Sequence, residues 1–344
     1  MTTIRVAAVG DILMWHRQIG SAKIIGRNEY AFEPMFSGVS TYLKSADLTI
    51  GNLETTLSGR EQIYERISPK THYPMFNCPD ELVKALKWAG FDVLTTANNH
   101  CMDRGENGLK RTIQILDKHQ IGHTGTFSSR DEASRLFIRN VKGIRIGIAS
   151  YTYGTNFNEV PKERPWLVNR IWLKKMENDI GRLRRNADIV IAAVHFGQEF
   201  FQRPNDRQRT VADKLFYYGA DVVLGAHPHV LQPMEQKMVR DKYGVQKRRF
   251  VAYSLGNFIS DRMWKNPLTQ LGVILMLNIE KDKQGNTTVK SIKPIPTWTL
   301  REINKGALRF RVVPVSKLII SPKSIWPSEE KKKVMQVIRN LVKS

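Results

Sequence analysis

Asp11, the pair Asn52 and Glu54, the run Asn98, Asn99 and His100, the single His195, and the pair His227 and His229 are the residues of this chain best suited to chemistry. Each group stands where a β-branched apolar run stops: VAAVGD, DLTIGNLE, FDVLTTANNH, DIVIAAVH and DVVLGAHPH. Buried strands read as such runs, and open α/β sheets hold ligands just outside the carboxyl ends of their strands. Oxygen and imidazole donors are what divalent cations take, imidazole most often. Their recurrence at five strand ends predicts one metal centre.

Taken singly, most of these residues carry a second reading. Asp11 could hold a metal or cap a following turn. Glu54 could bridge two cations with its two oxygens, or be a surface charge beside the loop-like TTLSG; Asn52 could orient it from behind. Asn99 offers an amide oxygen to a metal, and His100 beside it could protonate a leaving group. Asn98 and Asp103 could instead close the turn by bonding backbone amides. His195 alone reads as hydrogen-bonded structure, and the other four strand ends turn it into a ligand candidate. In GAHPH, two imidazoles one residue apart need partners that a packed core rarely supplies, so ligation is favoured. Glu199 could orient a ligand, touch substrate, or be a loop charge.

The elements that must position these groups alternate: strand 4–9, strand 47–51, helix 79–89, strand 91–96, helix 105–119, strand 144–151, helix 171–185, strand 188–194, helix 206–218 and strand 221–225. Such alternation predicts an α/β sheet. In the helix over 79–89, Leu82, Val83, Leu86 and Ala89 line one face, Pro79 sits near the first turn and Gly90 follows the last. From about residue 249 the pattern changes to strands without long helices, RFVAYSL, LGVILMLNIE and TTVKSIKPIPT, the last two joined by a turn at Gln284, Gly285 and Asn286. Helices covering two sheets in a layered sandwich fit this order. One domain over residues 1–300 and a basic C-terminal extension over 301–344, a strand plus a helix, are expected.

The net charge is +22, from 54 Lys and Arg against 32 Asp and Glu. Such a surface concentrates anions. The last 44 residues hold 11 basic and 3 acidic side chains, with Lys331 to Lys333 reading as a solvated helix face. Nucleic acid is disfavoured as a partner, because no recognisable nucleic-acid module accompanies the charge. Cys78 and Cys101 cannot build a disulfide framework and are expected as buried free thiols. No apolar run approaches a membrane span and no leader opens the chain, which gives a cytoplasmic expectation. AYSLG at 252–256 approaches the nucleophile elbow G-x-S-x-G, but no histidine follows Ser254 to complete a triad in that order. The glycine-rich phosphate cradles G-x-x-x-x-G-K-[ST] and G-x-G-x-x-G are absent.

An Asp after the first strand, a later acidic position, an Asn–His pair, a single His and a G-x-H-x-H end resemble the calcineurin-like metallophosphoesterase superfamily in order and placement. More narrowly, GNLETTL, LTTANNHCMDRGENGL, VHFGQEF, GADVVLGAHPHVLQPME and YSLGNF resemble the CapA family of poly-γ-glutamate capsule biosynthesis proteins, over roughly residues 4–262. The resemblance implies a four-layer α/β/β/α metallophosphoesterase-like sandwich. It implies one or two divalent ions, Mn, Fe or Zn, on Asp11, Glu54 as the bridge, Asn99, His195, His227 and His229, with His100 as general acid. Asn257 belongs to the string YSLGNF, where a structural turn is an equal reading. The implied partners are an anionic substrate or polymer, either a phosphate ester or poly-γ-glutamate, and a polymer synthase complex; the implied location is the cell surface. A non-catalytic accessory role, binding polymer or synthase, is the alternative. One departure stands out. The superfamily opens D-x-H, whereas Ile12 and Leu13 follow Asp11 here and the next histidine is His16.

Overall fold

The computed structural model describes residues 1–304, 306–319 and 328–341. Two mixed sheets face each other. In the first, the strand order is Ala307–Pro314, Thr287–Asn304, Leu271–Lys281, Thr2–Ile12, Leu48–Leu53, Val93–Thr95 and Gly122–Thr124, with short Asn257–Ile259 beside the end of Thr2–Ile12. In the second it is Met234–Arg240, Gln246–Ala252, Val222–Ala226, Ile189–His195, Ile144–Thr152 and Ile138–Val141.

Period-two alternation builds the layers. Along Thr2–Ile12, Ile4, Val6 and Ala8 enter the core between the sheets, where they meet Ile146, Ile148, Ile191 and Leu224 of the second sheet. Ala7 and Val9 point the other way, into a core shared with Leu82, Val83 and Leu86 of helix Glu81–Ala89 and Leu116 of helix Gly105–Lys118. On the far face of the second sheet, Val190, Ala192 and Val194 pack on Ile180 and Leu183 of helix Leu173–Asn186 and on Val211 and Leu215 of helix Asp206–Tyr218. The result is the four-layer α/β/β/α sandwich.

The central strands pair in parallel, so their carboxyl ends converge at one rim: Asp11 is in register with Asn52, and His195 with both Ala226 and Thr152. The expected division at residue 300 falls inside Thr287–Asn304. That strand pairs through Asn304 with Ala307–Pro314 in the main sheet, and Val315, Val334 and Leu341 join the core between the sheets. Residues 305, 320–327 and 342–344 of the expected extension lie outside the described residues. Lys332 and Lys333 are exposed on helix Ser328–Arg339, with Val334 buried beneath. Cys78 and Cys101 are buried free thiols. Among the described residues, no helix is long and apolar enough to cross a membrane.

Candidate metal centre

Close backbone packing sets the position of the first carboxylate. A Cβ on Gly10 would lie 1.9 Å from Gly256 O, so the strand ending at Asp11 can approach Leu255–Gly256 only because residue 10 has no side chain. Asp11 N–H then donates to Gly256 O at 3.0 Å, and Asp11 pairs in register with Asn257. Gly225 has the same function on the second sheet, where its Cβ would meet Tyr253 O at 2.0 Å. Beyond it, His227 and His229 adopt φ of 98° and 57°. Such conformations cost non-glycine residues about 1–3 kcal/mol each and persist where the surroundings over-determine them.

The five strand ends meet. Glu54 is fully buried, which removes its surface-charge reading. It belongs to two donor groups, one with Asp11 and His195, the other with His227 and His229, each with its ligand atoms within 4.8 Å of one another. Neither Glu54 oxygen accepts a hydrogen bond, although His195 Nε2 stands 3.3 Å from Oε1; His227 Nδ1 is likewise buried and unpartnered. Orphaned polar atoms of this kind are rare in native proteins, and a buried carboxylate without a partner is costly. A divalent cation in this nest would satisfy all of them, so the residues fit the group the resemblance implies.

Around this nest the remaining candidates act as supports. Asn52 Nδ2 donates to Asp11 Oδ1 at 2.7 Å and lies 3.2 Å from His195 Nδ1. Asn98 Nδ2 donates to Leu53 O at 2.7 Å, and its Oδ1 accepts from His100 N–H at 3.1 Å, the turn-closing role foreseen for it. Asp103 does not close the turn with its side chain, which reaches other segments instead. Its Oδ2 accepts from Phe76 N–H at 2.6 Å and lies 2.7 Å from His100 Nδ1, while Oδ1 accepts from Asn158 Nδ2 at 3.2 Å. Asn99 Oδ1 lies 2.7 Å from His195 Nε2. Asn257 is not in a turn: it begins the strand Asn257–Ile259, and its Oδ1 lies 2.9 Å from His229 Nδ1. Glu199 is partly exposed; burial is the main cause that raises the pKa of Glu54 and Tyr153, to which the Glu199 charge adds, while for His229 the same charge works against burial. His16 turns away from the nest to meet Glu65 at 2.7 Å.

Burial and neighbouring charge divide the titratable groups. Burial, then the charge of Asp11, holds the Glu54 carboxyl well above its ordinary value. Burial also raises Asp11, but hydrogen bonding and charge from His229, with His195 and Asn52, outweigh it and leave Asp11 lowered. Burial pushes His195 down to about 3 against the pull of Asp11, and drives His227 well below the ordinary range. For His229 the same burial is overcome by Asp11, and its pKa rises. His195 and His227 are therefore neutral imidazoles at pH 7, the form that binds metal.

Two residues escaped the sequence reading. Tyr153 places its ring 4.6 Å from that of His227 and stacks on His195 at 6.4 Å, and Asn156 accepts from Asn99 Nδ2 at 3.2 Å. Both follow strand Ile144–Thr152, whose end is flush with His195. The string YTYGTN was the available signal: a sixth polar strand end, with tyrosine and asparagine in place of acids and histidines.

Residues 5–262 match the model of the bacterial capsule synthesis protein family PGA_cap, three quarters of the chain and every candidate named above. The chain belongs to this family. Among relatives, the capsule biosynthesis protein CapA of Bacillus anthracis is 31% identical over 266 residues, covering 76% of this chain and 61% of that protein. The chain thus spans less than two thirds of that relative. The PGA biosynthesis protein CapA of Bacillus subtilis is 28% identical over 330 residues, covering 94% of this chain and 80% of that protein. Of solved structures, the calcineurin-like phosphoesterase YfkN from Bacillus subtilis aligns with a TM-score of 0.48 at 14% identity, over 98% of this chain and 97% of that one. The family match stops before Leu271–Lys281, so the antiparallel strands that complete the first sheet lie beyond it.

Proposed function

We propose that this capsule-family protein carries a two-metal, phosphoesterase-type centre that acts on a phosphate ester during the assembly of an acidic polymer such as poly-γ-glutamate. One observation supports the reading above all: Glu54 is shared by two buried donor groups and has no other partner for either oxygen. Asp11, Glu54 and His195 would hold one cation with Asn99, and Glu54, His227 and His229 the other. Bound in pairs, such ions clamp a phosphoryl group and lower the pKa of a coordinated water. Mixed oxygen and imidazole donors suit Mn, Fe or Zn.

The protein's own residues supply the rest. Asp103 holds His100 Nδ1, which leaves Nε2 to carry a proton to a departing oxygen. Asn257 fixes the tautomer of His229, and Asn52 steadies Asp11. The test is metal content of the purified protein, with turnover of a generic phosphate monoester measured on wild type and His227→Ala. Two ions per chain and loss of turnover in the variant are expected; turnover that survives in His227→Ala refutes the assignment.

A second reading has its own support. The net charge of +22 and the absence of a histidine two residues after Asp11 favour a binding protein for the polymer or its synthase, with little or no turnover. Its mark is polymer binding that weakens with salt and persists in His227→Ala. One ion or none per chain would favour it.

A further inference from the structure

Asn156 Nδ2 is a buried amide donor with no hydrogen-bond partner, at the edge of the metal centre. Its orientation follows from a single backbone group. His100 N–H donates to Asn98 Oδ1, so Asn98 presents Nδ2 to Asn52 Oδ1 at 3.4 Å. Asn52 therefore presents Nδ2 to His195 Nδ1 at 3.2 Å, which puts the imidazole proton on Nε2 and aims it at Asn99 Oδ1. Asn99 is left with Nδ2 facing Asn156 Oδ1 at 3.2 Å, and Asn156 with its own Nδ2 unused. A cation held by His195 Nε2 and Asn99 Oδ1 would take the place of that proton, and it would still turn the Asn99 amide nitrogen towards Asn156.

Tyr153 provides a second donor beside it. Its hydroxyl donates to Asn156 Oδ1 at 3.3 Å, an acceptor shared with Asn99 Nδ2, so an incoming oxyanion could take over this long bond; its ring lies against His227 and His195. The loop carrying both residues is held in a costly conformation, with φ of 48° at Asn156 and 61° at Phe157. It is tied down by Asn158 Nδ2 to Asp103 Oδ1 and by Thr155 Oγ1 to Asn158 O at 2.7 Å. Preorganised donors next to a cationic centre are the means by which proteins stabilise oxyanions.

We propose that Tyr153 and Asn156 form a donor arm that binds the oxygens of an oxyanion, phosphoryl or carboxylate, presented to the metal centre. The proposal rests on the metal-centre reading above and goes beyond it in assigning anion recognition to residues that hold no metal. Calorimetric titration of the Mn-loaded full chain with inorganic phosphate and, separately, with glutarate tests it on wild type, Tyr153→Phe and Asn156→Gly. Glycine is chosen at 156 because it tolerates positive φ without strain. Each variant should bind the preferred anion about tenfold more weakly, the size of one hydrogen bond to a charged group, with bound metal unchanged. Whichever anion responds identifies the source. Unchanged affinity for both anions in both variants, with metal retained, overturns the donor arm. A wild-type chain that takes up no metal overturns the metal-centre reading instead, and the same titrations without metal still decide the arm.

Discussion

Glu54 Oε1 lies 3.3 Å from His195 Nε2 and accepts no hydrogen bond from it, because the imidazole proton is directed to Asn99 Oδ1 at 2.7 Å. Two buried groups in near contact are thus arranged to meet something else. A carboxylate in this state weakens the metal-free protein and would favour a metal that relieves it.

Replacing Glu54 with Gln should therefore separate binding from stability. The folded-state pKa is raised above the ordinary 4.5, so the contribution of Glu54 to stability is fully present below pH 4.5 and is lost as pH rises through the folded value. With chelator present at pH 8, Glu54→Gln should be more stable than wild type by about 1–3 kcal/mol, a margin that shrinks towards pH 4.5. Metal content should fall at the same time. Urea unfolding of both proteins across this range checks it, and a chelated variant less stable than wild type at pH 8 would count against the orphaned carboxylate.

His195 gives the opposite pH dependence. Its pKa falls from 6.5 to about 3 on folding, so the unfolded chain binds the proton that the native chain refuses. The metal-free protein should lose stability as pH falls from 6.5 towards 3, with His195 contributing up to about 1.4 kcal/mol per pH unit. Glu54 opposes this fall within the same range, so the comparison with a variant is what isolates the histidine. In His195→Gln the fall should be shallower; parallel profiles for variant and wild type would show that the imidazole does not titrate as its burial requires.

Much of the fold was legible because the physics was local. Residues 206–218 read as a helix and are one: Asn205 caps it through Gln208 N–H at 2.9 Å, and Gly219 closes it at φ 113°. The strand ends were legible for the same reason, since apolar runs that stop at Asp11, His195 or His227 need no tertiary knowledge to be seen. What depended on distant partners was not. Glu54 could be read as a bridging ligand or as a loop charge until its burial decided between them. Asn257 read equally as a turn residue until it paired with Asp11, and the polar string that holds Tyr153 did not show that its ring would lie against two histidines supplied by different strands. The boundary drawn at 300 followed the basic composition of residues 301–344, which carries no sign of the backbone pairing that runs through Asn304.

His100 should matter in proportion to how badly the leaving group needs a proton. Asp103 holds its Nδ1 at 2.7 Å and Phe76 packs edge-on at 4.7 Å, so the ring is fixed. His100→Ala should slow hydrolysis of an alkyl phosphate by about 10²- to 10⁴-fold and of p-nitrophenyl phosphate far less, because nitrophenolate departs without protonation. Equal losses on both substrates would mean that His100 supports the site without transferring a proton.

Two Gly→Ala substitutions should move stability in opposite directions. At Gly10 the new Cβ would fall 1.9 Å from Gly256 O, which is backbone and cannot swing aside. The strand must shift, and Asp11, the next residue, shifts with it: a loss of about 1–3 kcal/mol or more is expected, together with metal uptake. At Gly20, inside helix His16–Ala22, nothing lies within 4 Å of the new methyl, so Gly20→Ala should gain about 0.5–1 kcal/mol from the lower entropy of the unfolded chain and leave metal content unchanged. Thermal unfolding and metal analysis of the two variants side by side check both signs. A Gly10→Ala protein that keeps its metal would show that the close strand approach does not position Asp11.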